Sequence, residues 1–165
     1  MRKIKVKSLS DRSFLKYGIS MNLLNNDEMR ERSIFRQGFF ADLISLDFGV
    51  ETMPAISVCD VRKQERNIVK FLEAHAKTCE GILPLDGDVI IFAGIPNEPF
   101  SARDLEAFFV PCGTFVKLNP LIVHGTQFPV TKEEVHIVCM LPGRTFHNDM
   151  IAHELSEDDQ AEIVL

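Results

Sequence analysis

The stretch that decides the fold is Leu72–Glu80 (LEAHAKTCE), which is soon followed by a turn at Asp86–Asp88 (DGD). It places a carboxylate and an imidazole two positions apart, and a second carboxylate five positions further on. Side chains alternate along a strand, so Glu73 and His75 would point to one side of a sheet if the segment is extended. A chain that then curls back can bring Glu80 to the same point. This set of oxygen and nitrogen donors suits a hard or borderline divalent cation.

A fourth donor is available from His124, at the end of the apolar segment Leu121–His124. Two carboxylates and two imidazoles would hold nickel, manganese, zinc or iron and leave coordination positions open for a substrate. Each residue also has a structural interpretation, as part of an exposed cross-strand pair, as a solvated carboxylate, or as a histidine bonded to a backbone carbonyl. The spacing and the downstream histidine together favour a shared site. The predicted metal ligands are Glu73, His75, Glu80 and His124.

The composition indicates one soluble globular domain of 165 residues, with 45% hydrophobic and 25% charged residues. A net charge of -6 argues against nucleic acid or an anionic membrane as the main partner. No apolar run approaches the ~20 residues of a membrane span, and the N-terminus lacks the apolar core of a signal peptide. The four cysteines show no metal-type spacing, which predicts reduced thiols in a cytoplasmic protein.

Short segments rich in Val, Ile, Leu and Phe recur along the chain, separated by Gly, Pro, Asn or Asp. Frequent strands without helical periodicity indicate an all-β protein, an antiparallel barrel or sandwich with a few short helices. The continuous apolar run Val89–Ala93 predicts a central strand with both faces covered. The predicted strands are Leu43–Phe48, Ala55–Val61, Ile68–His75, Val89–Gly94, Leu105–Val110, Thr114–Leu118, Leu121–His124 and Val135–Leu141.

The two ends of the chain are predicted to play different roles. Ile4–Lys7 alternates apolar and charged residues, which indicates a first strand with one wet face, before a short helix that ends at Gly18. Residues 151–165 are predicted to form an acidic surface tail outside a core of residues 1–150. Because barrels expose sheet edges that a second copy can cover, we predict a homodimer with the N-terminal strand at the contact edge.

Several short motifs resemble those of the cupin superfamily. Glu73, His75, Glu80 and Gly87 have the spacing of the first cupin motif, with Glu in place of its first histidine. Within that superfamily the chain resembles the ureidoglycolate lyase family, formerly called ureidoglycolate hydrolases. The motifs that carry this resemblance are Phe14-x-x-Tyr17-Gly18, Leu72-Glu73-x-His75, Pro84-x-x-Gly87, the strand Val89–Gly94, Ala107-Phe108, Gly113 and Val123-His124.

This resemblance implies a cupin-type β-barrel, a jelly roll also called a double-stranded β-helix, with metal-assisted lyase activity. The expected substrate is a small α-hydroxy acid, ureidoglycolate from allantoin and purine catabolism, which would be split into glyoxylate and urea. The predicted catalytic residues are Glu80, as the base if it is not a ligand, and Lys117, which would hold the acid end of the substrate. Asn119 is a further predicted substrate contact.

The chain also departs from that family at several positions. Glu80 stands where the family has Gln, and Lys117–Asn119 replaces an Asn-Tyr-His segment. Val123 and Gly125 stand where a tryptophan and a second histidine are usual. Glu80 adds an anionic ligand and favours a metal, whereas the other changes favour a different ligand. Two alternatives therefore stay open: a cupin enzyme acting on a sugar acid or keto acid, and a non-catalytic cupin that binds a small metabolite.

Overall fold

The computed structural model describes residues 1–10, 12–35, 37–50, 52–97 and 101–165. Within these ranges the chain is mainly β-structure, and none of its helices is long and apolar enough to cross a membrane. The strands are β1 (Arg2–Ser8), β2 (Gly18–Asn22), β3 (Pro54–Arg62), β4 (Asn67–Val69), β5 (Phe71–Ala74), β6 (Glu80–Pro84), β7 (Val89–Ala93), β8 (Glu106–Val110), β9 (Thr114–Leu118), β10 (Phe128–Pro129), β11 (Glu134–Pro142), β12 (Ile151–Glu154) and β13 (Ala161–Val164). The α-helices are α1 (Asn26–Arg32) and α2 (Thr145–Asn148), and short 3-10 helices span Arg12–Lys16 and Ala102–Asp104.

Two sheets wrap around a common core and form a nearly closed barrel. One sheet has the strand order β10-β7-β8-β1-β13-β4, the other has the order β2-β9-β6-β11-β3, and β12 pairs with β5 in a separate ribbon. The predicted all-β, cupin-type barrel with a few short helices is therefore confirmed. The pairing is not entirely antiparallel, because β1 runs parallel to both β8 and β13.

Strand β7 lies at the centre of the packing. Its five residues are all buried. Val89, Ile91 and Ala93 belong to a core that includes side chains from both sheets, whereas Ile90 and Phe92 belong to a second core with residues of β5 and β13. Burying one large apolar side chain stabilises a fold by ~1.5–3 kcal/mol, so both faces of this strand contribute. The predicted central strand with two covered faces is confirmed.

Both ends of the chain differ from their predicted roles. β1 lies between β8 and β13, so it is not an edge strand, and the prediction of an N-terminal contact edge is wrong. The segment predicted as a surface tail supplies β12 and β13, so it belongs to the fold. In β13, Ala161 and Ile163 point into the second core, while Glu162 points outward and pairs with Arg66. This alternation within an acidic segment is what the net charge of the region concealed.

Three predicted boundaries also differ from the structure. Leu43–Phe48 forms no strand, and its first residues lie instead against the outer face of the five-stranded sheet. Leu121–His124 makes only isolated bridges to other segments. Glu80, which was predicted to precede a turn, begins β6.

Candidate metal centre

Three of the four predicted metal ligands converge at one buried point. His75 follows β5, Glu80 begins β6, and His124 lies in the connection between β9 and β10. Glu80 Oε2 is 2.7 Å from His124 Nε2 and 3.4 Å from His75 Nε2. The donor atoms of these three residues all lie within 4.8 Å of one another, and the residues are only 2%, 6% and 3% exposed in chain order. We call this group the His–Glu–His cluster.

Backbone pairing brings His124 to the other two residues. His124 and Glu73 form an antiparallel bridge with reciprocal hydrogen bonds of 2.8 and 2.9 Å. A Cβ atom at Gly125 would lie 2.8 Å from the Phe92 ring and 3.0 Å from the Phe71 carbonyl oxygen. Glycine at this position therefore allows the chain to pass close enough to β5 for His124 to reach the cluster.

Backbone carbonyls behind the two imidazoles fix their orientation. His75 Nδ1 donates to the Asp149 carbonyl and His124 Nδ1 donates to the Ile122 carbonyl, each at 2.8 Å. Since a carbonyl only accepts, both Nδ1 atoms carry protons and both Nε2 atoms face Glu80. Within the described residues, the two Nε2 atoms and Glu80 Oε2 have no hydrogen-bond partner. Buried polar atoms seldom lack partners, and two imidazole nitrogens beside a carboxylate oxygen fit a divalent metal ion.

The charges in the cluster shift its pKa values in opposite directions. Burial alone would raise the pKa of Glu80, but His124 and His75 together outweigh it and lower that pKa to about 2. Burial also opposes a charge on His124, yet Glu80, followed by Glu73, raises its pKa to about 9. The pKa of His75 is likewise raised, against the effect of burial, by the nearby Glu80 carboxylate. Without a metal, the cluster at neutral pH therefore holds a carboxylate and at least one imidazolium.

Metal binding is expected to strengthen from about pH 6 to about pH 8. An ion must displace the proton from His124, because only an unprotonated Nε2 can bind it. With a pKa of about 9 for His124, displacement of one proton predicts an apparent Kd that falls about tenfold per pH unit. Calorimetric titration of Zn²⁺ in buffers of different ionisation enthalpy would measure both the affinity and the protons released. A Kd that does not change with pH would contradict this expectation.

Glu73 stands beside the His–Glu–His cluster and outside the group of donor atoms that lie within 4.8 Å of one another. Its Oε1 is 4.0 Å from His124 Nε2, and its side chain is 17% exposed. Burial raises the pKa of Glu73, and His124 partly counters that shift. This position suits a carboxylate that exchanges protons with a bound ligand better than it suits a fourth metal ligand.

The structure does not bring the two predicted substrate contacts to the cluster. Leu118 of β9 pairs with Glu80 and packs in the barrel core. Because adjacent residues of a strand point to opposite faces, Lys117 points outward, where its ammonium group donates to the Ser45 carbonyl at 2.8 Å. Asn119 is exposed just after β9. The predicted roles of Lys117 and Asn119 at this site are therefore wrong.

Asp149, which the sequence did not suggest, fixes the surroundings of His75. Its carbonyl accepts the bond from His75 Nδ1, and its carboxylate accepts from the backbone N–H groups of Ala76 at 3.0 Å and Lys77 at 2.8 Å. Phe146, three residues earlier, packs edge-on against the imidazole with ring centroids 6.2 Å apart. Residues so distant in sequence show no spacing pattern, so nothing in the sequence pointed to Asp149.

Asp149→Ala is expected to weaken metal binding about 10- to 100-fold without unfolding the protein, the usual effect of removing a group that orients a metal ligand. Loss of the carboxylate releases the backbone next to His75 and, with it, the carbonyl that orients the imidazole. Competition with a chromogenic chelator would measure the Kd. Asp158→Ala is the matched control, since it removes an exposed carboxylate far along the same segment. Equal affinities in the two variants would contradict the role given to Asp149.

A second group of possible ligands lies on the outer surface and comprises Asp60, Glu134 and His136. His136 Nδ1 already pairs with Asp86 at 2.8 Å, and the Arg62 guanidinium lies 3.2 Å from Glu134. These exposed groups neutralise one another in water. The buried cluster is therefore the stronger candidate for a metal centre.

Comparison with known proteins finds no family model and no curated protein that matches this chain. Among solved structures, Bacillus subtilis oxalate decarboxylase, whose Mn(II) centres have been studied, has a TM-score of 0.44 and 14% identity over 62% of this chain and 24% of that chain. A dTDP sugar isomerase from Desulfovibrio desulfuricans has a TM-score of 0.49 and 12% identity over 74% of this chain and 73% of that chain. The 3,4-ketoisomerase QdtA from Thermoanaerobacterium thermosaccharolyticum has a TM-score of 0.37 and 17% identity over 63% of each chain.

The strand order, the barrel core and the cluster together define the class of protein. It is a cupin-type β-barrel in which two histidines and one glutamate face one another within the fold.

Proposed function

We propose that this protein holds one divalent transition-metal ion through His75, Glu80 and His124. The observation that supports this proposal is that three buried donor atoms face one another and have no hydrogen-bond partner among the described residues. Nickel, manganese, zinc and iron are all compatible with two imidazoles and one carboxylate, which leave coordination positions for a ligand. The ion would supply Lewis acidity to an oxygen of the substrate.

The reaction that we propose is carbon–nitrogen bond cleavage in a small α-hydroxy acid, with ureidoglycolate as the first substrate to test. Loss of the hydroxyl proton allows the carbon–oxygen double bond to form while the bond from that carbon to nitrogen breaks. The nitrogen gains a proton, so the products are glyoxylate and urea. Glu73 could accept the first proton and return it to the leaving nitrogen, because it lies next to the cluster and is partly exposed.

A second candidate function is the binding of a small metabolite without catalysis. Two observations favour it. The three cluster residues are almost inaccessible, and Lys117, which was expected to hold the substrate's carboxylate, points to the other face of its strand. An enzyme that acts on a sugar acid or keto acid would use the same cluster and is a further outcome of the test.

Metal content and urea release, measured together, distinguish these functions. The protein would be loaded with each of the four metals and assayed with ureidoglycolate. Lyase activity predicts one ion per chain and urea release that Glu73→Gln abolishes while the ion stays bound. Bound metal without urea release would favour metabolite binding or another acid substrate. Protein that binds none of the metals would remove the proposal, and His136→Ala serves as the control because that histidine is exposed and outside the cluster.

A further inference from the structure

Strand β3 (Pro54–Arg62) presents a long open edge. It pairs with β11 along all nine of its residues and ends the five-stranded sheet. No other strand of the described chain pairs with its second side. At ~3.3 Å per residue this edge offers a row of backbone donors and acceptors about 30 Å long. An open edge of this length is a template for pairing with another strand.

The residues along this edge lack the features that usually prevent such pairing. No charged residue occurs from position 52 to position 59, and Pro54 stands only at the start of the strand. Ile56 is 72% exposed and Val58 is 60% exposed, although both are β-branched apolar residues on the same face. Met53, just before the strand, is 82% exposed. Apolar residues clustered on an unprotected edge indicate a surface that another chain covers.

The sequence of the edge is complementary to itself. In an antiparallel pair with Ser57 opposite Ser57, Ile56 of each copy faces Val58 of the other, and the contact occurs twice. Asp60 then faces Pro54, so no like charges oppose each other. Cross-strand pairs of β-branched residues stabilise a sheet, and an isologous contact of this kind closes after two copies. A foreign strand would need its own apolar pattern, whereas a second copy of this chain already carries it.

We propose that two copies of this protein form a dimer by antiparallel pairing of their β3 strands, with a two-fold axis at Ser57. The two five-stranded sheets then join into one continuous sheet. The interface also adjoins the segment that leads to the metal centre, since the Met53 carbonyl accepts from the Gly143 N–H at 2.8 Å. Gly143 comes directly before the turn of chain that carries Asp149. The proposal does not depend on the metal, because β3 contributes none of the cluster residues.

Light scattering after size exclusion tests the dimer. The wild-type protein at about 100 μM is expected to have twice the mass of the 18.7 kDa chain. The double substitution Ile56→Lys, Val58→Lys places four ammonium groups at the interface and should raise the dimer dissociation constant at least about 100-fold. Leu15→Lys is the matched control, since Leu15 is 68% exposed on the 3-10 helix and outside this edge. Circular dichroism would verify that all variants are folded.

A cross-link tests the register. Ser57→Cys is expected to give a disulfide-linked dimer on mild oxidation, because directly opposed residues lie within the ~4.4–6.8 Å between Cα atoms that a disulfide spans. Wild-type protein, which has its own four cysteines, is the control for background cross-linking. A monomeric wild type would overturn the proposal and leave the edge to another chain's strand. A dimer that survives the double substitution, or one that Ser57→Cys does not cross-link, would overturn it as well.

Discussion

Glu80→Gln is expected to lower metal affinity by more than about 100-fold, beyond the effect of changing groups that merely orient a ligand. The Glu80 carboxylate lies between both imidazoles and supplies the negative charge in the buried cluster. Gln preserves the size of the side chain but removes that charge. The pKa of His124 should then fall, because the carboxylate that raises it to about 9 is gone.

Metal analysis of the purified variant, together with chelator competition, measures this effect. Wild-type protein should carry about one ion per chain and the Glu80→Gln protein almost none. Glu134→Gln is the control, since it makes the same change in the exposed group on the outer surface. If Glu80→Gln retained wild-type affinity while Glu134→Gln lost it, the ion would belong to the outer group and the account of the cluster would be wrong.

Gly18→Ala is expected to destabilise the fold by about 3 kcal/mol or more, among the larger effects of a single substitution. A Cβ atom at this position would lie 1.8 Å from the backbone carbonyl oxygen of Lys117. That oxygen cannot move aside without separating β2 from β9, which pair through Gly18 and Leu118. The strain would therefore act directly on the strand that lies next to β6 and Glu80.

Thermal unfolding measures this second effect, with an expected fall in the midpoint of about 10 °C for a chain of this size. Gly143→Ala is the matched control. A Cβ atom there would meet only the Met53 carbonyl at an ordinary 3.6 Å, so the midpoint should change little. Equal stabilities of the two alanine variants would show that β2 can shift away from β9 at little cost.

Much of the fold followed from local patterns of residues. The apolar run of β7 and the strand Thr114–Leu118 have the predicted positions, because local alternation and turn residues determine them. The parallel pairing of β1 with β13 could not be predicted. It joins the two ends of the chain, and β13 carries only two inward apolar residues within an acidic segment.

The candidate site was predictable only in part. Spacing brought His75 and Glu80 to attention, and His124 was the remaining histidine at the end of an apolar segment. The error with Lys117 came from the register, because a one-residue change along a strand moves a side chain to the opposite face. Asp149 acts through its carbonyl and through backbone N–H groups, which have no signature in the sequence.

Anomalous X-ray diffraction from crystals of the metal-loaded protein tests the central claim most directly. The predicted result is a single ordered ion that lies about 2.0–2.3 Å from His75 Nε2, His124 Nε2 and a carboxylate oxygen of Glu80. An ion found instead among Asp60, Glu134 and His136, or no ordered ion at a saturating metal concentration, would contradict it.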